Sequence, residues 1–239
     1  AYVQKFEAVY PDFTGPEDIG FTKISDAVAA FMEFEWRSDT APFDAVLRGQ
    51  ADFEGLAATG ADLFYGKANC AQCHSGPLLT DQGFHAMAAP QIGPGKSATF
   101  ETHHRDDGRF RVTGKEADRY AFRTPSLRNV ALTAPYGHAG AHRDLAAFVA
   151  DHADPARALA QFDRTQVVLP SYDAPDFTVL DDAEQVAAIS AAVKAAPVSL
   201  SDAEITAIVA FLDTLTDPIS VTGRLGIPDA VPSGLDVPR

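Results

Sequence analysis

The five residues Cys70–Ala71–Gln72–Cys73–His74 constrain this chain more than any other feature. Two cysteines two residues apart have four ordinary explanations: a disulfide, a redox-active dithiol, half of a zinc site, or covalent haem attachment. A zinc site needs further ligands at matching spacing, and the chain has no other cysteine to supply them. A redox dithiol belongs in a βαβ setting, which this sequence lacks. The adjacent His74 decides among the four. Haem c takes two thiols as thioethers and a histidine beneath the ring as an iron ligand, and C-x-x-C-H supplies all three. A chain maturing this way does so outside the cytoplasm, which implies a periplasmic redox protein carrying one haem c.

The remaining sequence reads as one c-type haem domain over 1–239. Lead-in helices occupy 1–55, the haem core 56–160, and C-terminal helices with a tail 161–239. The fold class is mostly α, cytochrome c-like, with long loops and little strand. Ile24, Val28, Phe31, Met32 and Trp36 recur at helical spacing and give one apolar stripe. Leu56, Ala57, Gly60, Leu63 and Phe64 predict a helix leading into the cysteine motif. Between 75 and 120 periodicity fades, and glycine, proline and charge dominate, as in ordered loops wrapped around a cofactor. Shorter helices are predicted over 144–151 and 181–195. A clearer one spans 201–215, where Ser201 and Glu204 form an S-x-x-E capping box and Pro218 is a stop. Residues 223–239 read as an extended tail, and a short hairpin completes the expectation.

The formal charge is −14, from 33 acidic against 19 basic residues. Phosphate binding needs a basic face, so nucleic acid is excluded as a partner. The excess favours solubility and can steer a basic redox partner. No apolar run approaches the roughly 20 residues that span a bilayer. The chain begins at Ala1 rather than Met, which reads as a processed or truncated N-terminus.

One haem iron needs a sixth ligand or an open position. The candidates are the other six histidines, Met32, Met87 and the tyrosines. By residue type alone Met32 and Met87 read as core, His103 and His104 as solvated. Spacing does not choose among His85, His138, His142 and His152.

The run Arg123-Thr-Pro-Ser-Leu-Arg-Asn-Val-Ala-Leu-Thr-Ala-Pro-Tyr136, followed by His138 and Gly140, strongly resembles the bacterial di-haem cytochrome c peroxidase/MauG family. Ser75–Asp81, Phe84–His85 and Val231–Leu235 agree with it. The resemblance is to the C-terminal, electron-relay haem domain only. It implies a second haem on an N-terminal domain or a separate subunit. It also implies that carbonyls of Thr133 and Pro135 help bind a calcium ion between domains; otherwise these residues only shape a turn. In the family, the helix after Y-x-H-x-G supplies the distal ligand, methionine in the peroxidases and tyrosine in MauG. Aligning Leu145–His152 with that helix puts His152 at the ligand position and implies bis-histidine ligation with His74, with Tyr136 and Met87 in reserve. Arg123 and Arg128 are candidate partners of haem propionates or of surface acids. The implied function is electron relay within a di-haem oxidoreductase, with no catalytic residue on this chain. A stand-alone monohaem carrier or haem sensor is the alternative, and a peroxide-binding haem is a third reading that requires His152 to be unbound.

Overall fold

The structure, a computed structural model, describes residues 1–95, 103–169 and 173–237. Among these the chain passes through α1 (Tyr2–Val9), α2 (Phe21–Glu35), α3 (Pro42–Leu47) and α4 (Gly55–Tyr65). There follow β1 (Phe84–His85), α5 (Phe110–Thr113), β2 (Phe122–Arg123), α6 (Leu145–Ala153), α7 (Pro155–Ala160), α8 (Ala183–Ala191), α9 (Asp202–Asp213) and α10 (Pro218–Thr222). The fold is thus mostly helical. Its only sheet among the described residues is the antiparallel pair β1–β2, with Phe84 opposite Arg123 and His85 opposite Phe122.

The chain divides into two compact units, one formed by Ala1–Ala41 with Asp217–Arg239 and the other by Pro42–Thr216. These boundaries differ from the three sequence segments. Helix α9, placed by sequence in the C-terminal segment, packs on α4 at the centre of the second unit. Phe43, Phe64, Leu79, Tyr136, Ile208, Phe211 and Leu215 are buried together there. Crossing this closely requires Gly60, because a Cβ at that position would lie 1.9 Å from the Ala207 carbonyl oxygen. The N-terminus of α9 carries the expected capping box, with Ser201 and Glu204 each bonded to the other's backbone N–H. A second cluster, built from Ala88, Tyr120, Leu159, Val179, Leu180 and Ile189, lies under the loops and α7–α8.

In the first unit two carboxylates take the place of a large core. Asp217, with no exposed surface, accepts bonds from the Asp39 and Thr40 amides and the Thr40 hydroxyl, all at 2.7 Å. It also caps α10 through the Ile219 and Ser220 amides. Pro218, expected to end a helix, instead opens this short one, because proline at the first helical position loses no needed N–H. Glu35 accepts from the amides of Arg224, Leu225 and Gly226, which fixes the start of the tail. Gly223 has φ +78, and a Cβ there would run into the Glu35 carboxylate. Helix α1 falls within the lead-in helices expected over 1–55. The apolar stripe of α2 is exposed: Ile24, Val28, Phe31 and Met32 all face outward, as does Trp36 just beyond it, so Met32 is not a core residue.

Candidate haem site

The cysteine motif follows α4 directly. Asn69 adopts a left-handed conformation (φ 57), which breaks the helix and starts a tight 3-10 turn over Cys70–Gln72. Burial pushes the Cys70 thiol up to about 11, and burial followed by the nearby Asp81 also raises Cys73. A catalytic dithiol needs the opposite shift, toward thiolate. These thiols are therefore poised as protonated, unreactive groups unless a maturation step modifies them.

His74 is held from the next loop. Leu79, fully buried and in a left-handed conformation (φ 49), turns its carbonyl toward the ring and accepts a hydrogen bond from Nδ1 at 3.0 Å. With the proton fixed on Nδ1, Nε2 keeps its lone pair, the form a metal ligand requires. The same loop is stitched to the 123–128 segment, which joins the two most distinctive sequence motifs. The Thr80 hydroxyl donates to the Thr124 carbonyl and the Ser126 hydroxyl to the Leu78 carbonyl, both at 2.7 Å. Arg128 Nε donates to the Pro77 carbonyl at 2.9 Å.

Across from His74 stands His152, on the last turn of α6, with the ring centres 6.4 Å apart and the planes at 57°. Two imidazoles on one metal, each with a metal–nitrogen bond of about 2 Å and about 1 Å more to the ring centre, place those centres about 6 Å apart. The pair therefore fits one iron between two histidines. Burial, with His74 and His142 nearby, pushes His152 down to about 4, so it is neutral at neutral pH. Burial likewise lowers His74.

The other candidates are committed elsewhere. Tyr136 is buried, but its hydroxyl donates to the Ala131 carbonyl at 3.2 Å. His85 bonds Asp81 at 2.8 Å. His138 stacks on Phe122 with ring centres 3.6 Å apart and bonds Asp106. His104 is exposed, whereas His103, expected to be solvated, lies 3.4 Å from the buried Asp107. Met87 is half-buried. Among the described residues, Cys73, Asp81 and His85 alone gather three ligand atoms, within 4.8 Å of one another. Thioether formation at Cys73 would remove the thiolate such a metal site would use.

Arg128 sends both terminal nitrogens to Asp44, at 2.7 and 2.8 Å, and stacks over Phe43. Its fork serves a buried carboxylate of this chain, 84 residues away. Arg123 is exposed on β2 and bonds Gln82. The Thr133 hydroxyl bonds Val130, and Ala134–Pro135 is a cis peptide. That segment offers carbonyl oxygens, and among the described residues no carboxylate cluster gathers there.

No family profile matches the chain. Individual proteins do. Over 140 residues it is 34% identical to the cytochrome c551 peroxidase of Nitrosomonas europaea, covering 58% of this chain and 38% of that protein. Over 144 residues it is 38% identical to the methylamine utilization protein MauG of Methylorubrum extorquens, covering 59% and 36%. Identity to the cytochrome c peroxidase Ccp of Escherichia coli is 40% over 141 residues, covering 57% and 27%. Among solved structures, a MauG-like protein associated with microbial copper homeostasis superposes with TM-score 0.60 at 29% identity, covering 91% of this chain and 59% of that one. The diheme peroxidase BthA of Burkholderia thailandensis superposes with TM-score 0.55 at 26% identity, covering 84% and 50%. Sequence and fold thus point the same way: this chain is similar to bacterial cytochrome c peroxidases, to MauG and to a diheme peroxidase, and it spans only part of their length.

Proposed function

We propose that this chain is the electron-transfer haem c domain of a di-haem peroxidase/MauG-like oxidoreductase, matching the C-terminal domain of its relatives and relaying electrons to a second haem. The observation that carries the reading is the 6.4 Å separation of the His74 and His152 rings. Cys70 and Cys73 would hold one haem c through two thioether bonds, and His74 and His152 would supply nitrogen ligands to its iron. A haem c so held would supply one-electron chemistry.

The chain's own residues perform the holding. Leu79 fixes the His74 tautomer through Nδ1. The desolvated setting of His152 keeps its imidazole neutral, so no proton must leave before it ligates. Imidazole donates more strongly than thioether, so a histidine at this position lowers the reduction potential relative to methionine. Arg123, exposed on β2 beside Gln82, would be the candidate partner of a propionate, whereas Arg128 is committed to Asp44. No acidic residue here is given a catalytic role.

The partner is an N-terminal haem domain or a separate haem subunit in the periplasm. The exposed apolar face of α2 supports a companion surface over a stand-alone carrier. The acidic surface suits a basic redox protein as the electron source or sink. A calcium ion on the Thr133 and Pro135 carbonyls would need its remaining oxygen ligands from outside this chain. Adding hydrogen peroxide to the ferric protein tests the assignment. The parent should show no change in its visible spectrum, and His152→Ala should respond. A parent that reacts as fast as the variant would make this haem the peroxide site instead.

A further inference from the structure

Resting on the reading of His152 as an axial ligand, we propose that His142 is a positioning residue that fixes His152 through Asp151 and Phe148. His142 is only 3% exposed. Its backbone is locked to the buried Tyr136 in both directions, with Tyr136 N–H donating to the His142 carbonyl at 2.7 Å and the reverse bond at 3.2 Å. From this platform Nε2 donates to the Asp151 carboxylate at 3.0 Å. Asp151 immediately precedes His152 on the last turn of α6, where a helix would otherwise fray.

The second route runs through rings. His142 meets Phe148 edge-on, with centres 5.2 Å apart. Phe148, one turn before His152, lies against that imidazole with centres 5.1 Å apart and planes at 31°. One rigid side chain thus braces both the backbone turn and the ring face of the ligand. Packing alone does not account for a histidine here. Phe148 and Phe162 flank the ring, and its Nδ1 is buried with no hydrogen-bond partner among the described residues. Burying a half-satisfied imidazole costs free energy that an apolar side chain of similar size avoids. What the imidazole alone provides is the bond to Asp151.

A clamped ligand dissociates less often, and dissociation of His152 must precede entry of any exogenous ligand. The test is stopped-flow binding of cyanide to the ferric holoprotein. His142→Leu keeps the volume and loses the bond, and should bind cyanide at least tenfold faster than the parent. His142→Gln retains an N–H donor for Asp151 and should return to within threefold of the parent rate, a rescue that a space-filling role does not give. Asp151→Ala removes the partly exposed end of the bond and should itself bind cyanide at least tenfold faster than the parent, a test that stands even where His142→Leu fails to fold. Rates within twofold of the parent for both His142→Leu and Asp151→Ala would overturn the proposal. A parent that is already high-spin and binds cyanide at once would instead overturn the ligand assignment beneath it.

Discussion

Replacing Gly60 by alanine tests the architecture that carries the haem motif. An added Cβ would sit 1.9 Å from the Ala207 carbonyl oxygen, 2.6 Å from its carbon and 2.9 Å from Phe211 Cβ. Ordinary contact begins at 3.4 Å, so α4 and α9 must part by about 1.5 Å (3.4 less 1.9) along this line. The neighbour is helix backbone and cannot rotate away as a side-chain tip can. Parting weakens the contacts of Phe64 and Phe211, whose ring centres are 4.9 Å apart, and of Ile208 and Leu212 beside them. A gap of that size forfeits more than about half of each lost contact's attraction. Overpacking of this severity costs about 4 kcal/mol, at the upper end of single-substitution effects. Alanine returns about 1 kcal/mol of helix propensity, leaving about 3 kcal/mol of net destabilisation. For a unit of this size that is a fall in Tm of roughly 6–12 °C. Thermal unfolding followed by far-UV circular dichroism reads it directly. Exposed Thr59→Ala next door should stay within about 0.5 kcal/mol of the parent. A Gly60→Ala protein as stable as the parent, or more so from propensity alone, would show that these helices do not cross where the structure puts them.

Other expectations are independent of that crossing. Burial alone would raise the Asp217 carboxyl, but the bonds from Thr40, Ser220 and Asp39 override it and hold the group at about 2. A folded value below the ordinary 3.8 means stability present at neutral pH and lost as pH falls from about 4 through about 2. Asp217→Asn should therefore cost about 2 kcal/mol at pH 7, with the gap to the parent closing below about pH 3, as measured by amide exchange at Asp39 and Thr40. Arg128→Lys keeps the charge but loses the two-pronged fork on buried Asp44, and should destabilise by about 2–3 kcal/mol in denaturant unfolding. Ser201→Ala removes the N-cap of α9 and should cost about 1 kcal/mol by the same assay. His152→Met should keep a low-spin haem while raising the reduction potential by about 0.1 V, a modest part of the range of about 0.8 V that axial ligands span.

The legible parts of this fold are those written in contiguous residues. C-x-x-C-H points to haem c, and the capping box at Ser201–Glu204 marks the start of α9. Asp144 and Asp182 likewise cap α6 and α8, where the shorter helices were expected. What sequence did not show depends on distant partners. Asp44 and Arg128 meet across 84 residues, and nothing in either segment names the other. Glu35 and Asp217 look like ordinary surface acids, yet each cages backbone amides from a remote turn. Periodicity in α2 identifies an apolar face but says nothing of what covers it, and in this chain its residues are exposed. Of the four histidines that spacing left equal, His152 has its ring centre 6.4 Å from that of His74. His142 was one of the four as well, and its role emerges only when its bond to Asp151 is seen.

The most direct test of the whole account is the low-temperature EPR spectrum of the ferric protein as purified. Two imidazoles on one iron give a purely low-spin signal, and that signal should disappear in His152→Ala while persisting in the parent. A dominant high-spin signal in the parent would mean an open sixth position. It would contradict both the axial role of His152 and the confinement of this chain to electron transfer.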